Sequence, residues 1–346
     1  MSQTHALATI AVLRAGALCS VQDLGRHGRR HLGISQCGAM DTLALQQANL
    51  LLGNPPGAAG LELSLGPVQL LFPQATWIAL TGVDFGGRLQ TPEGGDAAAL
   101  SGHPLHIPAG AVLSLTRPAL PGARGYLAVA GGIDVPRVLG SRSTDLKAGF
   151  GGHAGRALQA GDVLPVGLPA STPATERRGV RGIAPTHVLR ALPGPDYERF
   201  TPASHTGFWR QPWRVNAQSN RMGLRLNGVP LALHSAVNLL SAGVLPGDVQ
   251  VPADGLPIVL GVDCQTTGGY PRIASVIQAD LWQLAQLSPL TSVYFQPVTH
   301  AVARDAMQRR MSYLLRLAER LDAEAIAHRH GHGSHPSQRS FPKDNE

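Results

Sequence analysis

Short apolar runs, separated by glycine, proline and polar residues, recur along most of the chain. They fall at 9–13, 68–72, 77–80, 111–115, 126–129, 188–192, 237–240, 258–262 and 293–295. Runs of three to five residues bounded by turn formers predict strands rather than helices. Several follow a glycine or proline turn, as in Pro108-Ala109-Gly110-Ala111 and Gln159-Ala160-Gly161-Asp162, which is the rhythm of hairpins or barrel strands.

Three segments carry the helical period instead. Asp41 is placed to cap a helix with Ala44, Leu45, Ala48, Leu51 and Leu52 on one face, ended by Gly53-Asn54-Pro55-Pro56. A second helix is predicted over 272–287, with Ile273, Val276, Ile277, Leu281 and Leu284 on one face, and a third over 302–326, with Met307, Met311, Leu314, Ala318, Leu321 and Ala325 at alternating spacings of four and three. The fold class expected is therefore mainly β with a few helices. The Pro/Ala/Thr/Arg stretch at 171–186 lacks periodicity and reads as a linker between two β-barrel-like domains, 1–170 and 187–300. An amphipathic helix at 301–327 and a disordered His-rich tail at 328–346 complete the division.

Composition narrows the function classes. The 41 glycines and 27 prolines fit short strands and many turns, and the only lysines are Lys147 and Lys343. A formal charge of +7 comes from scattered arginines without aromatic interleaving, so no nucleic-acid surface is expected. Cys19, Cys37 and Cys264 are odd in number and lack paired spacing, which argues against a disulfide framework and a zinc site. The segment 6–19 lacks the basic leader of a signal peptide, and no apolar run reaches the roughly 20 residues of a membrane span. A cytoplasmic protein with no metal and no membrane contact is expected.

Candidate chemistry lies in polar loops. The run 257–262 empties into Asp263-Cys264-Gln265-Thr266-Thr267-Gly268-Gly269-Tyr270. Two adjacent glycines there allow positive φ and an anion nest, and a helix starting at 272 would add N-terminal N–H groups; a plain hairpin is the alternative. Asp41 is either a helix cap or a substrate-facing carboxylate. Arg142 and Ser143 in Gly140-Ser141-Arg142-Ser143, and Asn220 and Arg221 before Gly223, offer a fork for carboxylate or phosphate, with a surface salt bridge as the alternative for Arg142. The phosphate loop, His-Glu-x-x-His and Gly-x-Ser-x-Gly signatures are absent.

Six blocks in order, VQDLGRHGRRHLGISQCGAMD, ANLLLGNPP, YLAVAGGIDVPRVLGSRSTDLKAGFGG, SNRMGLRL, GVLPGDVQVPADGLPIVL and QTTGGYPRIASVIQADL, resemble the allophanate hydrolase subunit 2 family, also called the biotin-dependent carboxyltransferase family, and within it the 5-oxoprolinase branch. They span about 20–290, and Cys37 and Cys264 are departures from the pattern. The resemblance implies two cyclophilin-like β-barrel halves. It also implies an ATP-dependent cyclic amide hydrolase that opens 5-oxo-L-proline to L-glutamate. ATP would be used by a hetero-oligomer of this chain, a B subunit of the allophanate hydrolase subunit 1 type and an A subunit. In that chemistry Arg142, Ser143, Asn220, Arg221, Gln265, Thr266, Gly268 and Gly269 are candidates for substrate binding, and Asp41 and Tyr270 for orienting water or exchanging a proton. Two other roles fit the same family: a carboxyltransferase component serving a biotin-dependent urea-type carboxylase, and a non-enzymatic regulatory chain that binds a kinase-inhibitor-like B subunit.

Overall fold

The computed structural model describes residues 8–64, 66–116, 124–169, 179–235 and 238–331, with side chains as far as residue 322. Alternation along Val68–Phe72, whose first, third and fifth residues are buried, gives a strand with one wet and one dry face. That strand lies inside a six-stranded antiparallel sheet. The spatial order is Val163–Pro165, Thr9–Arg14, Val68–Phe72, Ala111–Leu115, Gly87–Gln90 and Asp96–Ala99. A second antiparallel sheet runs Ser20–Gln22, Gly60–Leu63, Gly125–Val129, Thr76–Gly82 and Pro104–Ile107. Ile10, Leu70 and Leu113 of the first sheet share one core with Leu61, Ile78 and Leu127 of the second.

The other half is a closed barrel of seven strands: Val188–Pro193, Arg272–Val276, Asp248–Gln250, Ile258–Leu260, Gly223–Asn227, Trp213–Val215 and Ser292–Pro297. It closes by parallel pairing of its first and last strands, Val188 opposite Tyr294. Trp213, Ile273 and Phe295 fill it, and Phe208 stacks on Phe295 with ring centroids 4.5 Å apart. Among the described residues four α-helices decorate the halves: α1 (Thr42–Leu51), α2 (Pro202–Arg210), α3 (Leu281–Ala285) and α4 (His300–Gly331). α1 covers the strands Thr76–Gly82 and Gly125–Val129, and α4 lies along α1. Leu51, Leu52 and Leu321 meet in that contact.

Two sequence expectations fail here. Instead of a helix over 272–287, Arg272–Val276 is a barrel strand paired on both sides, followed by a 3-10 turn at Gln278–Asp280 and the five-residue α3. Ile273 and Val276, three residues apart, fall on opposite faces of the strand; both faces are buried, which removes the alternation that marks a strand, and β-branching with two free ladder edges decides for it. Of the run 237–240, residue 237 lies outside the described residues, and 238–240 are irregular, with Leu240 exposed. Most of the linker (171–178) and of the tail (332–346) also lies outside the described residues. α4 extends to Gly331, so His328 and His330 belong to helical backbone rather than to a tail.

Candidate active site

Glu62 is the one charged residue in the strand Gly60–Leu63, and it is buried. A carboxylate there needs partners. Its Oε2 accepts from the Tyr126 hydroxyl and the Met40 N–H, both at 2.8 Å. Its Oε1 accepts from Arg221 Nη1 at 2.5 Å and lies 3.3 Å from Arg124 Nε. Arg221 comes from the barrel half. It also donates Nε and Nη2 to Asp263 at 2.8 and 2.9 Å, and Nη2 to the Gly38 carbonyl at 2.7 Å. One guanidinium therefore ties together strand, loop and barrel, 159 residues separating Arg221 from Glu62.

Electrostatics follow from that geometry. Burial alone would raise the Glu62 pKa, but Arg221 and Arg124 outweigh it and hold the carboxyl below its usual range. Burial alone would lower that of Arg221, but Glu62 and Asp263 hold it well above the ordinary value. Tyr126 is pushed up by burial and by the Glu62 and Asp41 charges, so it serves as a neutral donor.

Asp41 adjoins this network through its backbone N–H, which donates to the Tyr126 hydroxyl oxygen at 2.7 Å. Its Oδ1 caps α1 by accepting from Ala44 N–H at 2.8 Å, and its Oδ2 accepts from Gln286 Nε2 at 2.9 Å. Burial pushes its carboxyl above the ordinary range, opposed by the Ala44 N–H, Gln286 and the Arg310 charge. Asp41 and Gln286 form part of the wall of a cavity of about 310 Å³, with Thr81, Asp84, Ser101 and Trp282. Such a carboxyl in a cleft is a candidate proton donor or acceptor.

The other predicted residues lie in different places. Arg142 and Ser143 surround Asp23, whose Oδ1 accepts from Ser141 Oγ at 2.6 Å and Ser143 Oγ at 2.5 Å, and whose Oδ2 accepts from the Arg142 N–H at 2.6 Å. The Arg142 guanidinium pairs with Asp134 and donates to the Val135 carbonyl, so its fork is engaged within its own loop. Asn220 is exposed and accepts from the Met222 N–H of its own turn. Thr267–Gly268 forms a two-residue strand against Ala242–Gly243, and neither Gly268 nor Gly269 has positive φ. The expected nest and the helix N-terminus behind it are therefore absent from this loop. Gln265 and Thr266 contribute backbone carbonyls to Arg30 and to Val244 N–H, and Tyr270 is half-exposed in the same loop. Of the predicted set, Asp41 and Arg221 share the Glu62–Tyr126 network, whereas Arg142 and Ser143 share the separate one around Asp23.

Glu62, Tyr126, Arg124, Asp263 and Gln286 were not singled out in the sequence. The readable signal was Glu62, a lone carboxylate in an apolar strand. The cysteines are not part of this chemistry: burial pushes the Cys19 thiol up to about 12 and raises Cys37 as well.

The loop 22–41 that carries Asp41 depends on two glycines. Gly25 and Gly38 have φ near +92° and +93°, and a Cβ on Gly38 would lie 2.8 Å from Gly25 N. Gly38→Ala is expected to lower the melting temperature: the left-handed backbone alone costs about 1–2 kcal/mol, and the clash displaces the carbonyl that Arg221 uses. Thermal melts of the two proteins check this, and an unchanged midpoint would contradict it.

Similarity to known proteins agrees with the architecture. The chain is 48% identical over 315 residues to the C component of the 5-oxoprolinase of Escherichia coli (strain K12), covering 91% of this chain and 99% of that protein. It is 40% identical over 308 residues to the protein of the same name from Haemophilus influenzae, covering 88% of this chain and 96% of that one. Among solved structures, the K. lactis urea amidolyase superposes with a TM-score of 0.83 at 28% identity, covering 91% of this chain but 20% of that larger one. The family profile described as carboxyltransferase domain, subdomain A and B, matches residues 32–297, and the chain belongs to that family.

Proposed function

We propose that this chain is the C component of a 5-oxoprolinase, acting with a B subunit of the allophanate hydrolase subunit 1 type and an A subunit in an ATP-dependent, cytoplasmic hetero-oligomer. The carrying observation is the 48% identity to a 5-oxoprolinase C component that this chain spans almost end to end. The reaction converts 5-oxo-L-proline, ATP and two waters to L-glutamate, ADP and phosphate. A lactam is a poor electrophile. Phosphorylating its oxygen opens the ring carbon to one water; the adduct expels the ring nitrogen, which takes up a proton, and leaves an acyl phosphate that the second water hydrolyses to L-glutamate and phosphate, so the assembly needs a group to take a proton from the attacking water.

Asp41 is the group proposed for that proton, because it lines the cavity and its carboxyl is held above its ordinary range. Gln286 fixes one of its oxygens and the Ala44 N–H the other, so the carboxyl is oriented before substrate arrives. Arg221 and Glu62 act behind it, holding the two halves in register. Arg142, Ser143, Asn220 and the loop 265–270 are better explained as loop structure and surface than as substrate contacts.

A second reading, carboxyl transfer for a biotin-dependent urea-type carboxylase, is supported by the fold shared with the urea amidolyase structure. The two readings separate on substrate. Phosphate release by the assembly co-purified on this chain is expected to depend on 5-oxo-L-proline and to be indifferent to avidin. Release that instead depends on urea and bicarbonate and is blocked by avidin would select the second reading.

A further inference from the structure

Beside the Asp41 cavity lies a second one of about 580 Å³, and the two share Leu43, Ile183 and Trp282 as wall residues. The first wall is acidic and amide-rich. The second carries three arginines: Arg190, Arg309 and Arg310.

Two of these guanidinium groups have carboxylate partners. Arg190 donates Nε to Asp280 Oδ2 at 2.9 Å and Nη2 to Asp280 Oδ1 at 2.5 Å. Arg309 pairs with Asp305 one turn earlier on α4. Arg310 differs: it donates to Thr42 Oγ1 and, at 3.4 Å, to the Gln278 carbonyl, both neutral acceptors. The Asp41 and Asp280 charges reach it through space, and burial lowers its pKa from the usual value, although it remains a cation. A desolvated guanidinium with only neutral direct partners, set in a cavity wall, is suited to an incoming carboxylate.

Arg310 belongs to α4, which follows the 32–297 stretch matched by the carboxyltransferase family profile. α4 is held in place there by the Arg310–Thr42 bond and by Tyr313, whose hydroxyl accepts from Gln47 Nε2 on α1 at 2.7 Å. Urea is neutral, whereas 5-oxo-L-proline has a lactam at one end and a carboxylate at the other.

We propose that Arg310 anchors the substrate carboxylate in the second cavity while the lactam faces Asp41 in the first, making α4 the element that selects an anionic lactam. This inference rests on the 5-oxoprolinase reading above, and deepens it.

The test compares 5-oxo-L-proline with its neutral carboxamide, in turnover by the full assembly and in calorimetric binding to the full-length chain. Wild type is expected to favour the acid by about 30-fold in both, from one charge-assisted contact. Arg310→Gln is expected to remove that preference by raising the KM for the acid, with kcat changed by no more than about threefold, and Arg310→Lys to restore part of it. The acid-to-amide ratio is internal to each preparation, so partial misfolding does not imitate the effect.

An unchanged ratio in Arg310→Gln would overturn the assignment, as would binding of ATP or inorganic phosphate, and not 5-oxo-L-proline, that depends on Arg310. An assembly that makes no glutamate while the isolated chain keeps an Arg310-dependent acid preference would overturn the 5-oxoprolinase reading and leave the carboxylate site standing. Glutamate formation without any acid preference would do the reverse.

Discussion

Arg221→Met is expected to destabilise the protein by about 3–5 kcal/mol, the range for removing one partner of a buried ion pair. The variant leaves Glu62 and Asp263 buried without the guanidinium that bridges them, and frees the Gly38 carbonyl. Methionine fills most of the stem volume, so packing contributes little to the loss.

The pH dependence identifies the cause. In the wild type Glu62 has a folded pKa below its unfolded value of about 4.3, so its contribution is present above that value and is lost as pH falls through the folded one. In Arg221→Met, burial dominates and raises the folded value, so the sign reverses: the variant loses stability as pH rises from about 4.3. Urea midpoints at pH 5 and pH 7.5 check this. The gap between the two proteins should widen at the higher pH, and a pH-independent gap would remove Glu62 from the explanation.

Asp41→Asn is expected to have the largest effect on activity, a loss of about 10²–10⁴-fold in glutamate formation, the usual contribution of a positioned acid or base. Asparagine keeps the α1 cap, since its carbonyl oxygen still accepts from Ala44 N–H, but its amide meets Gln286 Nε2, which also donates to the Arg124 carbonyl at 3.1 Å and turns only by giving up that bond. The folded pKa of Asp41 lies above its unfolded value of about 3.9, so the native state holds that proton more tightly. Stability therefore falls as pH rises between those two values, and ionised Asp41 carries a penalty above them. Asp41→Asn removes the penalty. The variant should stay within about 1–2 kcal/mol of wild type at pH 7.5, relief of the buried charge offsetting the lost Gln286 bond, while turning over far more slowly. Full turnover in this variant would leave Asp41 as a cap alone.

Much of the fold could be read from local pattern. Val68–Phe72 and Ala111–Leu115 alternate cleanly and are strands over those same residues, and Asp41 caps α1 as its position before the apolar stripe implies. Failure came where a strand is buried on both faces and so shows no alternation. Ile273, Val276 and Ile277 fit a helical face, yet barrel closure places Arg272–Val276 between two strands.

The site was less legible, because its contacts are tertiary. Arg142 and Arg221 look alike in sequence, each an arginine in a polar turn. Arg142 meets Asp134 eight positions away and is spent locally, whereas Arg221 meets Glu62 across the junction of the two halves. Nothing in the local sequence distinguishes these outcomes. The two glycines at 268–269 suggested a turn and a nest, yet Thr267–Gly268 pairs as an extended strand with Ala242–Gly243, which needs no left-handed backbone there.

The account stands most directly on one measurement: L-glutamate released from 5-oxo-L-proline and ATP by this chain co-purified with its A and B partners, against the same preparation with this chain left out. Release that requires this chain is the predicted result. Equal release without it, or none from a folded assembly of all three, would contradict the account.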